Sequence, residues 1–141
     1  PFFARGTKNM AYQLKRKKRV HKVLELQDNS GKVETRLTVD ISVDDFRNRY
    51  PQVMQKVQEA QTMLDEKGDD DASAIAASQI ALKAVFVLVF GEAQTRQFLE
   101  YYENRYAEAF IEVVPFINEE IIPEVQKAVK EEQARISSLM K

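Results

Sequence analysis

The stretch KAVFVLVFGEAQ, Lys83–Gln94, decides how this chain folds. It contains seven consecutive apolar residues, Ala84 to Phe90, followed by a glycine and by polar residues typical of a helix. Its β-branched residues favour a strand, but the Ala-rich DASAIAASQIALKA that leads into it is typical of a helix. The sequence therefore predicts a helix from about Ala72 to Phe90, capped by Gly91. Because its last turns are apolar nearly all round, this helix needs neighbours on most sides, from its own chain or from another subunit.

Upstream of this helix, residues 20–41 have the pattern of a β-hairpin. VETRLTVDI alternates apolar and polar residues, and DNSGK before it is a turn in which Asn29 and Gly31 tolerate positive φ. A two-stranded hairpin is marginal in water on its own. We therefore expect it to pack on the helices or to pair with an added strand from another chain.

A second helix is predicted between the hairpin and the Ala-rich segment. Ser42 is a suitable N-cap, and Asp45 resembles the acid of a capping box. Pro51 removes a backbone donor, which predicts a kink or a late start at that position. KGDDD, Lys67–Asp71, should end this helix in an acidic loop, with Asp71 or Ser73 capping the next one.

Downstream, EAQTRQFLEYYENRYAEAFIEVV predicts one continuous helix with an aromatic and apolar stripe. Pro115 predicts a break or kink, and Asn118 can cap a last helix that carries Pro123 in its early turns. The predicted fold class is α+β, mainly α: an N-terminal β-hairpin followed by a bundle of about four to five α-helices. We expect residues 20–141 to form a single domain, residues 10–19 a basic arm, and residues 1–9 to be a remnant of an expression tag.

The composition excludes several kinds of chemistry. The chain has no cysteine and one histidine, so disulfides, thiolate metal sites and multi-histidine metal sites are excluded. The four glycines are too scattered for a phosphate-binding loop, and His21 has no acid beside it that would complete a catalytic triad. Asp69–Asp71 lack the spacing of a calcium loop. The sequence predicts a non-enzymatic protein without a cofactor or metal, and no uninterrupted apolar run reaches the length of a membrane span.

Charge is distributed unevenly along the chain. Residues 1–36 carry ten Lys or Arg and three Asp or Glu, a net charge of +7, whereas residues 37–141 carry a net charge of −8. A basic arm on an acidic body suits an acidic partner or another copy of the chain. Nucleic-acid binding is the less favoured interpretation, because aromatic residues are not interleaved with the basic ones. The residues of this basic arm are Lys15, Arg16, Lys17, Lys18 and Arg19.

The segment Val89–Val129 resembles the C-terminal part of tail assembly chaperone-like proteins of siphophages and prophages of Gram-positive bacteria. The resemblance rests on the step FGE, on the aromatic helix that follows it, and on the apolar tail VPFINEEIIPEV. The segment DDFRNRYPQVMQKV after the hairpin is also similar to that group. The resemblance covers about residues 20–130, and its motifs are apolar patterns rather than chemical signatures. The basic arm has no counterpart in it.

This resemblance implies a non-enzymatic role in the cytoplasm of a bacterial host. Such proteins bind the long, helical tape measure protein, keep it soluble during tail assembly, and leave as tail tube subunits polymerise. They tend to self-associate, so we expect a homo-oligomer and, as a further partner, the major tail tube protein. The alternatives are a structural tail or connector component that stays in the virion, and a small nucleic-acid-binding regulator that uses the basic arm.

Two sets of apolar residues are the candidate functional positions. The set predicted to form the core or a self-assembly surface is Val85, Phe86, Val89, Phe90, Tyr102, Tyr106 and Phe110. The set predicted to contact the client protein or a neighbouring subunit is Ile117, Ile121 and Val125.

Overall fold

The computed structural model describes residues 11–14 and 19–141, and within them an antiparallel β-hairpin precedes five α-helical segments. The two strands are β1 (Arg19–Gln27) and β2 (Val33–Ser42). The helices are α1 (Val43–Lys67), α2 (Ala72–Phe90), α3 (Glu92–Tyr101), α4 (Tyr106–Phe116) and α5 (Ile122–Leu139). A π-helical turn, Ile117–Ile121, joins α4 to α5 in one continuous rod. The predicted fold class, mainly helical with an N-terminal hairpin, is confirmed.

The hairpin is closed by a turn organised around Asp28. Its Oδ1 accepts hydrogen bonds from the Ser30 hydroxyl and from the backbone N–H groups of Ser30 and Lys32. These bonds hold the pKa of Asp28 below its usual range, and the bond from the Ser30 hydroxyl contributes most. Gly31 supplies the positive φ, +90°, which a β-branched residue would not tolerate. The predicted hairpin therefore has the turn chemistry that its sequence indicates.

One face of the hairpin is buried and the other is polar. Leu37, Val39 and Ile41 of β2 point into the core, as their alternation predicts, together with Val20 and Leu26 of β1. The hairpin packs its apolar face on the helices, chiefly through contacts between β2 and α2. This contact supplies the support that a two-stranded sheet lacks on its own.

Helix α2 lies at the centre of the fold. It packs lengthwise against α1 and also contacts β2, α3 and α4. Asp71 caps it by accepting from the Ala74 N–H at 2.9 Å, and Gly91 ends it with a φ of +81°, both as predicted. The residues of its last turns are buried in the core of their own chain, so the neighbours that KAVFVLVF requires come from within the molecule.

Helix α1 is continuous, so the late start predicted at Pro51 is wrong. The Ser42 hydroxyl accepts from the Asp45 N–H at 3.4 Å, which confirms the predicted N-cap. The helix then runs through Pro51 to Lys67. Phe46 and Tyr50 stack at 4.8 Å before the proline, and Val53 packs on the core after it. Packing on both sides holds the helical path that the missing backbone bond opposes.

The continuous helix predicted from Glu92 to Val114 is wrong, because the chain turns between α3 and α4. Glu103 and Asn104 both adopt positive φ, 56° and 60°. The Asn104 N–H donates to the Leu99 carbonyl at 2.8 Å, and the Glu103 N–H donates to the Glu100 carbonyl at 3.0 Å. This pair of bonds is a Schellman motif, which usually has glycine where this chain has Glu103.

The break predicted at Pro115 and the cap predicted at Asn118 are wrong, because the helical backbone is continuous, while the kink stays a prediction. Helix α4 includes Pro115, and the helical backbone continues through Asn118 without a side-chain cap. The chain bridges this region with the π-helical turn instead, in which the Ile122 N–H donates to the Ile117 carbonyl five residues earlier. Pro123 follows as the second residue of α5, directly after this π-helical turn.

Helix α2 meets one test for a membrane span. Among the described residues it is the one helix that is long and apolar enough to cross a membrane, judged by length and composition alone. It has 19 residues and a mean hydropathy of 1.9. The uninterrupted apolar run is nevertheless short, because Ser78, Gln79 and Lys83 interrupt the helix. The core helices of water-soluble proteins pass the same test, and the last turns of α2 are covered by protein.

Candidate functional site

The structure places the residues predicted for core or self-assembly in and around the core. The fully buried members are Val85, Phe86, Val89 and Phe90, and the half-buried ones that pack against them are Tyr102, Tyr106 and Phe110. The aromatic rings meet around Phe98, whose centroid lies 5.2 Å from Phe86 and 4.7 Å from Phe90. These rings stabilise the junction of α2 and α3, and the four buried side chains offer no surface to a partner.

The client or subunit surface predicted at Ile117, Ile121 and Val125 is corrected by the structure. All three side chains are buried in the core of the chain itself. Residues four apart drift by about 40° per step around an α-helix, because each residue turns it by about 100°. The wider π-helical turn reduces this drift, so Ile117, Ile121 and Val125 all face inward. The predicted contact residues are therefore core residues.

The described residues contain no group of three or more His, Asp or Glu side chains that could hold a metal ion. His21 lies on the polar face of β1, opposite Asp40 of β2. Burial raises the pKa of Tyr102 to about 12, with a smaller contribution from the negative charge of Glu112. This shift moves the phenol away from neutral pH, opposite to what a general acid or base requires.

The end of α5 leaves large apolar side chains uncovered in the described part of the chain. Val125 and Val129 lie at core-facing positions, and the same 3.5-residue spacing passes through Glu132, which interrupts the apolar pattern, before it reaches Ile136 and Leu139. Ile136 is 53% exposed and Leu139 is 83% exposed. We call these two residues the α5 seam. It extends the buried stripe of the helix beyond the core that covers its first turns.

A groove of about 780 Å³ lies beside the first half of α5. Apolar atoms of Val125, Val129 and Pro123 line its floor, and Arg47 of α1 reaches it from the other side. Its charged lining residues are Arg47, Lys127, Lys130 and Glu131, so cations exceed acids at this position. The groove is lined by apolar side chains and by an excess of cations, and the α5 seam lies further along the same helix.

A second, smaller groove of about 500 Å³ lies where the end of α1, the start of α2 and the start of α4 meet. Its apolar lining comes from Leu64, Ile75, Leu82 and Tyr106. Arg105 and Glu108 pair with each other at its margin, at 3.3 Å. Asp69 also lines this groove, so its charged lining has two acids and one cation, the reverse of the cationic excess beside α5.

The predicted basic arm falls mostly outside the described residues, which omit Lys15, Arg16, Lys17 and Lys18. Arg19 is described, and it belongs to β1 rather than to an arm. Its Nε lies 2.7 Å from Oδ1 of Asp40, and its guanidinium also donates to the Asp40 carbonyl. Arg19 therefore fastens the open end of the hairpin.

The sequence analysis does not identify the α5 seam as a candidate contact surface. The sequence signal for such a surface is the length of the last helix, since apolar residues recur at Ile136 and Leu139, about two turns past Val129. Whether a neighbour covers such a pattern depends on where α1 and the hairpin lie, which only the folded chain reveals. In comparisons with family models, curated proteins and solved structures, none matches this chain.

Proposed function

We propose that this protein is a phage tail assembly chaperone that binds the tape measure protein and keeps it soluble during tail morphogenesis. The protein acts without catalysis, in the cytoplasm of the bacterial host. The proposal starts from the resemblance of Val89–Val129 to that group of proteins. The surface proposed for the client is the α5 seam, an exposed pair of apolar side chains three residues apart, which the described part of the chain leaves uncovered.

A long helical client fits this surface by its shape. An amphipathic helix packs along another helix when apolar residues repeat every 3.5 residues on both. Ile136 and Leu139 occupy two positions of such a repeat, and the groove beside Val125 and Val129 lies on the same helix beyond Glu132, toward the body of the protein. The cations Arg47, Lys127 and Lys130 at the groove suit acidic residues beside the client's apolar stripe.

The strength expected of this contact suits a chaperone that must leave its client. Full burial of a Leu or Ile side chain contributes about 1.5–3 kcal/mol, so two such residues give a weak and reversible contact. Many copies bound along one long client, and to each other, would hold it through avidity rather than through any single strong site. Tail tube subunits polymerising along the client can then displace the copies one after another.

Co-expression with the tape measure protein of the same phage or prophage tests the proposal. We expect the wild-type chain to bring the tape measure protein into the soluble fraction and to co-purify with it. The double variant Ile136→Asp with Leu139→Asp should lose both effects, because it puts two charges on the α5 seam. A tape measure protein that stays insoluble with the wild-type chain would contradict the proposal.

A matched control distinguishes the effect of losing the α5 seam from the effect of adding two negative charges to α5. Ala134→Asp with Ser137→Asp introduces the same charges at the same spacing, each two residues earlier and therefore about 200° around the helix. This control should still co-purify with the tape measure protein. Mass spectrometry of purified virions distinguishes the structural alternative, since a chaperone is absent from the finished particle and a tail or connector component is present.

A further inference from the structure

The β-hairpin has two outer edges, and one of them is closed by a side chain. On β2, the Thr38 N–H donates to Oε1 of Gln94 at 2.7 Å, and Nε2 of Gln94 donates to the Thr38 carbonyl at 2.6 Å. The side-chain amide of Gln94 thus replaces the peptide group of a neighbouring strand. This pair of bonds also shows that the backbone groups of Thr38 point away from β1.

The other outer edge, on β1, has no neighbouring strand among the described residues. Val23 lies opposite Thr38, so its N–H and C=O also point outward, away from β2. The same holds for His21 and Glu25, two residues away on either side. Within the described residues, the outward backbone groups of His21, Val23 and Glu25 form a template for another strand, whereas the Gln27 carbonyl at the end of this edge accepts a hydrogen bond from the Tyr101 hydroxyl. Val23 itself is 55% exposed on the polar face of the hairpin.

We propose that β1 pairs antiparallel with β1 of a second copy of this chain, about a two-fold axis through Val23. The pairing produces a four-stranded sheet in the order β2–β1–β1–β2. In this register Val23 lies opposite Val23 of the second copy, and His21 lies opposite Glu25 of the second copy. The inference does not depend on the proposed function, because it concerns only how two copies meet.

Charge complementarity favours this register. Within one chain, His21 lies opposite Asp40, and Glu25 lies opposite Arg36, whose Nε is 3.1 Å from its carboxylate. An axis through Val23 therefore forms a row of four side chains across the sheet. Asp40 and His21 come from one copy, Glu25 and Arg36 come from the second copy, and acid and base alternate along the row. An axis through Glu25 would instead place Glu25 beside Glu25 of the second copy, and like charges destabilise a cross-strand pair.

The inward face of β1 also accepts this pairing. The register places Val20 beside Leu26 of the second copy, and Lys22 beside Leu24 of the second copy. An inward lysine normally protects a sheet edge from association. Here the Lys22 ammonium is held by the carboxylates of Glu124 and, at 3.4 Å, of Glu120, so its charge does not oppose the second strand. The hydrogen bond to Glu124 is the main cause that raises the pKa of Lys22.

Disulfide trapping in the full chain tests the register. The chain has no cysteine, so Val23→Cys introduces the only thiol. In the proposed dimer the two Cα atoms lie about 5.5 Å apart, which a disulfide can span. We expect mild oxidation to give a covalent dimer on a non-reducing gel. In the control His21→Cys the two thiols are four residues apart along the paired strands, about 13 Å, and should not crosslink.

A second pair of variants tests the association itself. Val23→Pro removes a donor that faces outward and leaves the ladder with β2 intact, so the hairpin tolerates it. Light scattering should show a dimer for the wild-type chain and for Val23→Thr, and a monomer for Val23→Pro with an unchanged far-UV spectrum. A monomeric wild type, a dimer that survives Val23→Pro, or equal crosslinking of both cysteine variants would overturn the proposal. Loss of the dimer in the α5 seam variant alone would overturn it too, by placing the contact on α5.

Discussion

Thr95 is the one fully buried polar side chain among the described residues. Its hydroxyl oxygen has no hydrogen-bond partner, although its backbone N–H bonds to the Gly91 carbonyl. A buried hydroxyl without a partner opposes folding by about 1–3 kcal/mol. Thr95 therefore weakens the junction of α2 and α3, which the surrounding aromatic rings stabilise.

Replacing this hydroxyl with a methyl group should stabilise the protein. We expect Thr95→Val to raise the free energy of unfolding by about 1 kcal/mol, because it keeps the shape of the side chain and removes the unpaired group. Urea unfolding measures the change. The control is Thr62→Val, whose exposed hydroxyl donates to the Gln58 carbonyl and whose loss should have little effect. A destabilised Thr95→Val would show that the hydroxyl has a partner in solution.

Tyr102 makes stability depend on pH in the alkaline range. Its pKa is raised from 10.0 to about 12, mainly by burial, so the folded state keeps a proton that the unfolded state releases. Its contribution is complete below pH 10 and is lost as the pH rises toward 12. Burial raises the pKa of Tyr50 as well, and its carboxylate partners raise that of Lys22, so all three groups act in the same direction.

We therefore expect the melting temperature of the wild type to fall between pH 10 and pH 12. Tyr102→Phe has no phenol to ionise, so its melting temperature should fall less steeply over the same interval. A series of thermal melts at stepped pH measures both slopes, and absorbance titration follows the phenols directly. Parallel slopes for the two proteins would contradict the assigned cause.

At the scale of the element, α1 carries an internal strain at Pro51. The proline lies well inside the helix, is exposed, and leaves the Arg47 carbonyl without its usual donor. The flanking residues Phe46, Tyr50 and Val53 fix the helix by their packing. The element is therefore held by its tertiary contacts against its local preference.

Pro51→Ala should relieve this strain. Proline in a helix interior is about 3 kcal/mol less favourable than alanine, and the loss of proline's rigidity in the unfolded chain offsets less than 1 kcal/mol of that. We expect the free energy of unfolding to rise by about 2 kcal/mol in chemical denaturation. The neighbouring exposed substitution Gln52→Ala should change it by less than about 0.5 kcal/mol. An unchanged or lowered value for Pro51→Ala would indicate that the helix is already distorted to fit the proline.

The elements that sequence predicts well here are those with local signals. Ser42, Asp71 and Gly91 mark helix ends through bonds within a few residues, and the alternation of β2 marks its buried face. The turn at Glu103 and Asn104 has no such signal, because glutamate is a poor candidate for positive φ. Likewise, Ile117 and Ile136 have the same apolar character, and only the position of the other elements decides that the first is buried and the second exposed.

At the scale of the whole molecule, the fold separates its core from two outward surfaces. The segment Val85–Phe90, which looks from its composition like a surface for a partner, lies mostly in the centre of the chain. The outward surfaces are the outer edge of β1, proposed for a second copy, and the α5 seam, proposed for the client. They lie on different elements, so self-association and client binding can be disrupted independently by Val23→Pro and by the α5 seam variant.

The most direct test of the client surface is amide hydrogen exchange of the full chain, with and without a soluble segment of the tape measure protein. We expect the segment to slow exchange in residues 130–139, where the α5 seam is uncovered in the free chain, and to leave α2 unchanged. Slowed exchange confined to another element, or no change anywhere while the segment is bound, would contradict the account.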